Sequence, residues 1–404
     1  MKLGLIREGK VPPDKRVPLT PKQCVQLKER YPQIEVVVQK SDIRAFKDEE
    51  YAAVGVALVD DLSSCDVIMG VKEVNIDDLI PNKKFLFFSH TIKKQPYNRK
   101  LLQAILDKKI QLIDYEVLKN KDNKRIIGFG RYAGIVGAYN GMIALGKKYN
   151  LFELKPAHEC HDRKEMEKEL QKIVFPKNFK IVVTGHGRVG YGAREILELL
   201  PLLEVGPEEF LNKEFDEPVF THLEAEDYYA PKDGSMFDKA AFYSNPETYK
   251  SVFSKFSKRA DMYIPCHYWN SKSPYILTQD DLNDTSNRLK VIADISCDVA
   301  GPIASTIRSS KIGDAFYGYN PETGLECDWK ESDAIMVMAV DNLPCELPRD
   351  ASEDFGNELM KNVFPHLFGD DPDDIIGRGS ETNLKGELTE NFAYLRDYVE
   401  GVTS

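Results

Sequence analysis

No window of this 404-residue chain approaches the ~18 consecutive apolar residues of a membrane-spanning helix. The opening run, Met1-Lys2-Leu3-Gly4-Leu5-Ile6-Arg7-Glu8, is too short and too charged for a secretory leader, so the cytoplasm is the expected compartment and no membrane partner is expected. Basic blocks are missing as well. Lys and Arg total 54 against 65 Asp and Glu, a net charge of −11 spread along the chain. Nothing in that balance would neutralise a phosphate backbone, which excludes nucleic acid as the main partner. The seven cysteines form no Cys-x-x-Cys pair, and an odd number without a framework reads as reduced thiols. His158-Glu159-Cys160-His161 matches no zinc spacing and opens a charged stretch, so no metal is expected. Repeats and low-complexity segments are absent too. What remains is 42% hydrophobic and 29% charged, an ordinary globular composition at a length that suits two domains.

The most informative stretch is Phe179-Lys180-Ile181-Val182-Val183-Thr184-Gly185-His186-Gly187-Arg188-Val189-Gly190. A short apolar β-branched run meets Gly-x-Gly-x-x-Gly, and an apolar-periodic segment (Ala193, Ile196, Leu197) follows. That strand–glycines–helix order is the context a dinucleotide fingerprint requires. Gly185 serves the tight turn, Gly187 the approach of a pyrophosphate, and Gly190 the packing of helix on strand. The N–H groups of the helix start favour the anionic phosphates. His186, Arg188 and Val189 lie between the glycines and join them as cofactor-binding candidates.

Before this loop the chain alternates strands and helices. Lys2–Ile6, Ile34–Val38, Cys65–Gly70, Phe85–Phe88 and Ile110–Tyr115 are apolar runs of strand length, and Thr20-Pro21 opens a helix to about Arg30. The pattern predicts a parallel sheet of buried strands. Residues 131–148 read as a helix with small residues at Ala133, Gly134, Gly137, Ala138 and Gly141, expected to bridge two domains. Residues 206–257 read as loops and short helices, followed by strands at Met262–Pro265, Leu289–Ile295 and Ala334–Val340. The last ~60 residues are too few for a domain of their own. The expected fold is therefore α/β, with two Rossmann-like domains and a ligand-binding cleft between them. The substrate domain takes residues 1–130 plus 345–404, and the dinucleotide domain takes 131–344.

Ionisable groups follow the strands of the first domain: Lys72 and Glu73, His90 with Lys93, and Glu116, with Arg16 after the first strand. A lysine and a histidine near one site can divide base and acid duties once burial and neighbouring charge tune them. Arg16 and Lys93 suit carboxylates.

Together these stretches resemble a known family. Arg7-Glu8-Gly9, Arg16-Val17-Pro18-Leu19-Thr20-Pro21, Val71-Lys72-Glu73 and Ser89-His90 look like the first domain of the alanine dehydrogenase and lysine-forming saccharopine dehydrogenase superfamily. Ile292-Ala293-Asp294-Ile295-Ser296-Cys297-Asp298 is similar to its late cofactor-domain strand. Phe129-Gly130-Arg131-Tyr132-Ala133-Gly134, Tyr268-Trp269 with Pro274-Tyr275-Ile276-Leu277-Thr278, and the run from Val340 to Ser352 narrow the match to the lysine–2-oxoglutarate reductase half of the bifunctional enzyme of lysine catabolism.

The resemblance implies reductive condensation of lysine with 2-oxoglutarate to saccharopine. It makes Lys72 the general base and His90 the acid–base group at the carbinolamine step. Arg16, Lys93 and Arg131 are implied to bind substrate, while Glu73 and Glu116 set the charge state of the site. Asp298 and Asn342 match positions beside the nicotinamide. The implied partners are small molecules, an amino acid and a 2-oxo acid; oligomeric state is not legible. Members that use NAD carry an acid at the end of the second Rossmann strand. The run aligned here is Leu202–Glu208, with Gly206 in the acid's place and Glu204 and Glu208 nearby. The cofactor is thus NAD or NADP. Two other readings stay open: an alanine dehydrogenase-like deaminase, and a nucleotide-binding regulator without catalysis.

Overall fold

The strand Lys2–Leu5 (β1) sits buried between two parallel neighbours in the computed structural model, which describes residues 1–401. The chain forms two compact units. Unit 1 is Met1–Phe129 with the segment from Pro348 onward, and unit 2 is Gly130–Leu347. The return crossing falls at Pro348 rather than at 345, and residues 402–404 lie outside the described residues.

In unit 1, β1 is followed by α1 (Pro21–Arg30), β2 (Glu35–Gln39), α2 (Asp48–Ala53), β3 (Ala57–Val59), β4 (Val67–Met69), β5 (Lys84–Phe87), α3 (Arg99–Asp107) and β6 (Gln111–Asp114). The six strands are all parallel in the order β3-β2-β1-β4-β5-β6, the doubly wound arrangement. Successive side chains leave opposite faces, so Leu86 joins one core with Leu3 and Met69 while Phe85 and Phe87 join the other with Ile68 and Leu112. Burial on both faces explains why these strands read as continuous apolar runs. Thr20 caps α1 as expected: its hydroxyl accepts from Gln23 N at 3.3 Å and Gln23 Oε1 accepts from Thr20 N at 3.0 Å. The helix Pro348–Asn362 returns to this unit, placing Phe355 and Leu359 in the same core as Leu3.

Unit 2 begins with α4 (Gly130–Tyr149), α5 (Arg163–Glu169), β7 (Lys180–Thr184), α6 (Arg188–Leu197), β8 (Leu203–Glu204) and β9 (Val219–Leu223). A small hairpin, β10 (Tyr229–Pro231) and β11 (Tyr249–Ser251), precedes β12 (Met262–Pro265) and β13 (Val291–Ala293). The unit closes with β14 (Phe316–Asn320), β15 (Leu325–Cys327) and β16 (Ile335–Met338). Its large sheet runs β15-β14-β16-β13-β12-β7-β9-β8, parallel except for the β14–β15 edge. The expected α/β class with two parallel Rossmann-like sheets and a returning C-terminal segment is what the chain forms.

Two expectations are corrected. The small residues of α4 serve unit 2 itself rather than a bridge. A Cβ at Gly134 would lie 1.9 Å from Val189 O of α6, and one at Gly141 would lie 2.6 Å from the Met262 side chain. The segment 206–257 also contains β9, fully buried and hydrogen-bonded along all of β7. β8 reaches only β9, at the sheet edge.

Candidate active site

Parallel strands point their carboxyl ends at one edge of a sheet, and in unit 1 that edge carries the ionisable groups. Lys72 and Glu73 follow β4, His90 follows β5, and Glu116 follows β6. Glu73 is the hub. Its Oε1 accepts from His90 Nδ1 at 2.6 Å and its Oε2 from Lys10 Nζ at 2.9 Å. Burial alone would raise this carboxyl, yet those hydrogen bonds hold it down to about 2. An ionised Glu73 fixes the hydrogen on Nδ1 of His90 and leaves Nε2 for chemistry. Lys72 is shifted the other way: burial lowers its ammonium, with Arg16 and Lys10 adding repulsion. A lysine made less basic in this way is suited to take up a proton.

Lys93 Nζ lies 3.5 Å from Glu116 Oε1, and the buried Glu116 Oε2 has no hydrogen-bond partner. That oxygen can receive an ammonium. Arg16 is buried and forked onto Asp14, Nε to Oδ1 at 3.0 Å and Nη2 to Oδ2 at 2.6 Å, with its guanidinium 4.2 Å from the Phe129 ring. Burial is outweighed there by Arg16, which keeps Asp14 well below the usual carboxylate range. Arg131 lies in the first turn of α4 in unit 2, and its guanidinium is forked onto Glu195 at 2.6 and 2.8 Å.

Sequence reasoning missed a residue at the base of this edge. Glu8 Oε1 accepts from Val71 N at 2.6 Å and Oε2 from Lys72 N at 2.9 Å, so it holds the backbone that presents Lys72. Burial and nearby Asp14 push Glu8 up to about 8. The motif Arg7-Glu8-Gly9 was the visible signal, but only folding brings it to a strand some 60 residues away, the separation of Glu8 and Val71 being 63.

In unit 2 the glycine loop joins β7 to α6. Gly185 has φ +98, and a Cβ there would lie 2.6 Å from His267 Cα. A Cβ at Gly190 would meet Gly185 O at 1.8 Å, whereas one at Gly187 would meet nothing within 4 Å. Gly187 thus borders open space at the N-terminus of the ten-residue helix α6, a cradle that fits a pyrophosphate. Arg188 and Val189 open that helix. Asp298 follows β13 and Asn342 follows β16, at the same strand ends as the loop.

Glu204 lies on the edge strand β8 and pairs with Arg194 at 2.7 Å, and Glu208 is exposed on the helix Pro207–Asn212. The strand beside β7 is β9, and the acid that follows it is Glu224, 3.5 Å from His186 Nδ1. The His186 ring stacks on His222 at 3.8 Å, and His222 Nε2 donates to Gly185 O at 2.8 Å. Burial lowers His222 to about 4, so it holds the turn as a neutral ring. Neither Glu224 nor His222 is a candidate from the sequence, where 206–257 reads as loops and short helices.

A doubly wound unit with ionisable groups at its strand ends and a second unit with a dinucleotide-type glycine loop define a protein of two Rossmann-like α/β units. Residues 4–136 match the family described as Alanine dehydrogenase/PNT, N-terminal domain. The chain is 31% identical over 438 residues to the alpha-aminoadipic semialdehyde synthase of Arabidopsis thaliana, covering 97% of this chain and 41% of that protein. To the mitochondrial alpha-aminoadipic semialdehyde synthase of Rattus norvegicus it is 29% identical over 444 residues, 98% of this chain and 47% of that protein. To the saccharopine dehydrogenase (NAD(+), L-lysine-forming) of Emericella nidulans it is 28% identical over 384 residues, 90% and 91% of the two chains. The chain thus spans less than half the length of the first two and nearly all of the third. Among solved structures, an L-alanine dehydrogenase superposes with a TM-score of 0.64 at 16% identity over 100% of both chains. A transhydrogenase from Sinorhizobium meliloti gives 0.60 at 14% identity over 96% of this chain and 99% of that one. These two share the fold. The expected resemblance is borne out: the N-terminal third matches the alanine dehydrogenase/PNT N-terminal family, and nearly the whole chain is similar to saccharopine dehydrogenases and to part of the alpha-aminoadipic semialdehyde synthases.

Among the described residues no helix is long and apolar enough to cross a membrane.

Proposed function

We propose that this protein reductively condenses L-lysine with 2-oxoglutarate to saccharopine, reversibly, using NAD or NADP. The observation that carries the reading is the lowered Lys72 beside the ionised Glu73–His90 pair, a base and an acid–base group on one sheet edge. Lys72 takes the proton that frees the substrate's amine. His90, with Nδ1 held by Glu73, gives a proton to the carbinolamine oxygen from Nε2 as water leaves, and takes it back in reverse. Glu116 receives an ammonium at Oε2, and Lys93 and Arg16 favour carboxylates. A bound nicotinamide supplies the hydride. Gly185, Gly187 and Gly190 with Arg188 and Val189 would hold its pyrophosphate, and Asp298 and Asn342 lie at the same strand ends. Glu224 would accept from a ribose 2′-hydroxyl and disfavour a 2′-phosphate, which favours NAD. All seven cysteines are free, in keeping with a reducing compartment such as the cytoplasm.

The test follows absorbance of NADH and of NADPH with lysine plus 2-oxoglutarate, and separately with pyruvate plus ammonia. Cofactor oxidation with the first pair only is expected. Oxidation with the second pair alone, or with neither, sinks the substrate assignment.

A further inference from the structure

Two carboxyl groups beside the His90 turn are wholly buried: Asp114 at the end of β6 and Glu381 in the C-terminal segment, each 0% exposed. Backbone pairing delivers Glu381, since its N–H donates to Leu112 O at 2.8 Å and Ser380 bridges Ile113. Together the two acids grip the residues on both sides of the histidine. Ser89 donates its N–H to Asp114 Oδ2 at 3.1 Å and its hydroxyl to the same oxygen. Thr91 Oγ1 donates to Glu381 Oε2 at 2.5 Å, and Glu381 Oε1 lies 3.2 Å from Ser89 Oγ. Ser89 Oγ and Thr91 Oγ1 are 2.6 Å apart. His90 between them has φ 55, a left-handed conformation that a residue with a side chain keeps only when its surroundings impose it.

The charges around the pair do not balance two anions. No lysine, arginine or histidine pairs with either carboxyl among the described residues. The facing titratable groups are Glu116 and Tyr115 on the β6 side and Tyr394 and Tyr398 from the C-terminal segment. The cations beside these groups are engaged elsewhere: Lys93 with Glu116, Lys94 over the Tyr394 ring and Arg99 over the Tyr398 ring. Ser89 Oγ touches both carboxyl groups, Asp114 at Oδ2 and Glu381 Oε1 at 3.2 Å, so the two acids flank one buried hydroxyl, and like charges placed so favour a proton on one of them. Asp114 is the better anion, because Ser89 N–H, Ser89 O–H and Glu116 N–H all donate to it, the last at 2.7 Å. Glu381 accepts fewer donors, and burial with the nearby Asp114 favours its neutral form.

We infer that Glu381 and Asp114 share a single proton, carried by Glu381, and that this carboxylic acid–carboxylate pair is the positioning device for His90. Loss of the proton at alkaline pH sets two buried anions against each other and releases the Ser89–Thr91 turn. Only the catalytic consequence rests on the function proposed above; the proton can be measured without turnover.

The experiment compares the full chain with Glu381→Gln and Glu381→Ala by urea unfolding between pH 5 and pH 9. A carboxyl that stays protonated on folding but ionises in the unfolded chain stabilises most at low pH. That stability is lost as pH rises toward the folded-state value, with the folding constant falling about tenfold per pH unit. The wild type is expected to show that one-proton slope in excess of Glu381→Gln, whose amide still accepts from Thr91 and does not titrate. Equal slopes would overturn the shared proton. In the same proteins the His90 imidazole resonances, assigned with His90→Asn, are expected to stay in place in Glu381→Gln and move in Glu381→Ala. Turnover should follow, within about threefold of wild type for Gln and at least tenfold lower for Ala, with dinucleotide affinity kept. Resonances displaced equally in both variants would overturn the positioning role, and should Glu381→Ala fail to fold, Glu381→Gln with displaced His90 resonances would do the same. A wild type without lysine-dependent turnover would count against the proposed reaction and leave the unfolding slope to decide the proton.

Discussion

The glycines of the dinucleotide unit separate packing from binding, and two alanine substitutions test each in isolation. At Gly134 a Cβ would lie 1.9 Å from Val189 O and 2.6 Å from Ala193 N, both backbone atoms of α6. Ordinary contact lies near ~3.5 Å, so α4 and α6 must part by roughly 1.5 Å. Forcing a packed pair of helices apart in this way costs ~3 kcal/mol or more. For a domain of this size that lowers Tm by roughly 6–12 °C. Gly187 is the opposite case. Its φ is −93 and a Cβ there touches nothing within 4 Å, so Gly187→Ala should fold within about 1 kcal/mol of wild type. The added methyl occupies the space assigned to the pyrophosphate, and dinucleotide affinity should fall at least tenfold, about 1.4 kcal/mol. Thermal melting and fluorescence titration with NADH and NADPH read the two effects. A Gly134→Ala protein that melts like wild type would refute the close helix contact. A Gly187→Ala protein with wild-type affinity would refute the placement of the phosphates at this loop.

Lys72→Met should lower kcat by ~10²–10⁴, the range of a lost general base, with dinucleotide affinity kept; a rate within threefold of wild type removes Lys72 from the mechanism. Glu73 is held from its ordinary 4.5 to about 2, so its stabilisation is present above ~4.5 and lost as pH falls toward 2. Glu73→Gln should therefore cost ~1–2 kcal/mol at pH 7, after allowance for solvent screening, and nearly nothing at pH 2; urea unfolding at both values checks the sign. Glu224→Gln removes the charge facing the ribose, and the NADP to NAD ratio of kcat/KM should rise at least tenfold; the same change in Glu204→Gln instead would return the selector to the edge strand.

Local chemistry made much of this protein legible from its residues. The runs that became β1, β4, β5, β7 and β12 are continuous apolar segments of strand length, and a strand buried on both faces needs that composition wherever its partners lie. The capping box of α1 and the left-handed glycine after β7 are set by residues within a few positions of each other. Lys72, Glu73 and His90 were visible because each directly follows such a strand.

What pairs with what is a different question, and only the tertiary structure answers it. Val219–Leu223 is a plain five-residue run set among polar turns, and its place beside β7 comes from hydrogen bonds to residues about forty positions earlier. That pairing puts Glu224, rather than Glu204 or Glu208, directly after the strand beside β7. The small residues of α4 announce a close approach without naming the partner, which proved to be α6. Glu8 beneath Lys72, and Glu381 beside Asp114 and the Ser89–Thr91 turn, are contacts across 64 and up to 292 positions of chain. Periodicity and turn preference act over a few residues and fix where strands and helices form. The desolvation and charge that tune Lys72, Glu73 and the buried acids exist only once distant segments share a core, because burial and Coulomb forces depend on distance in space.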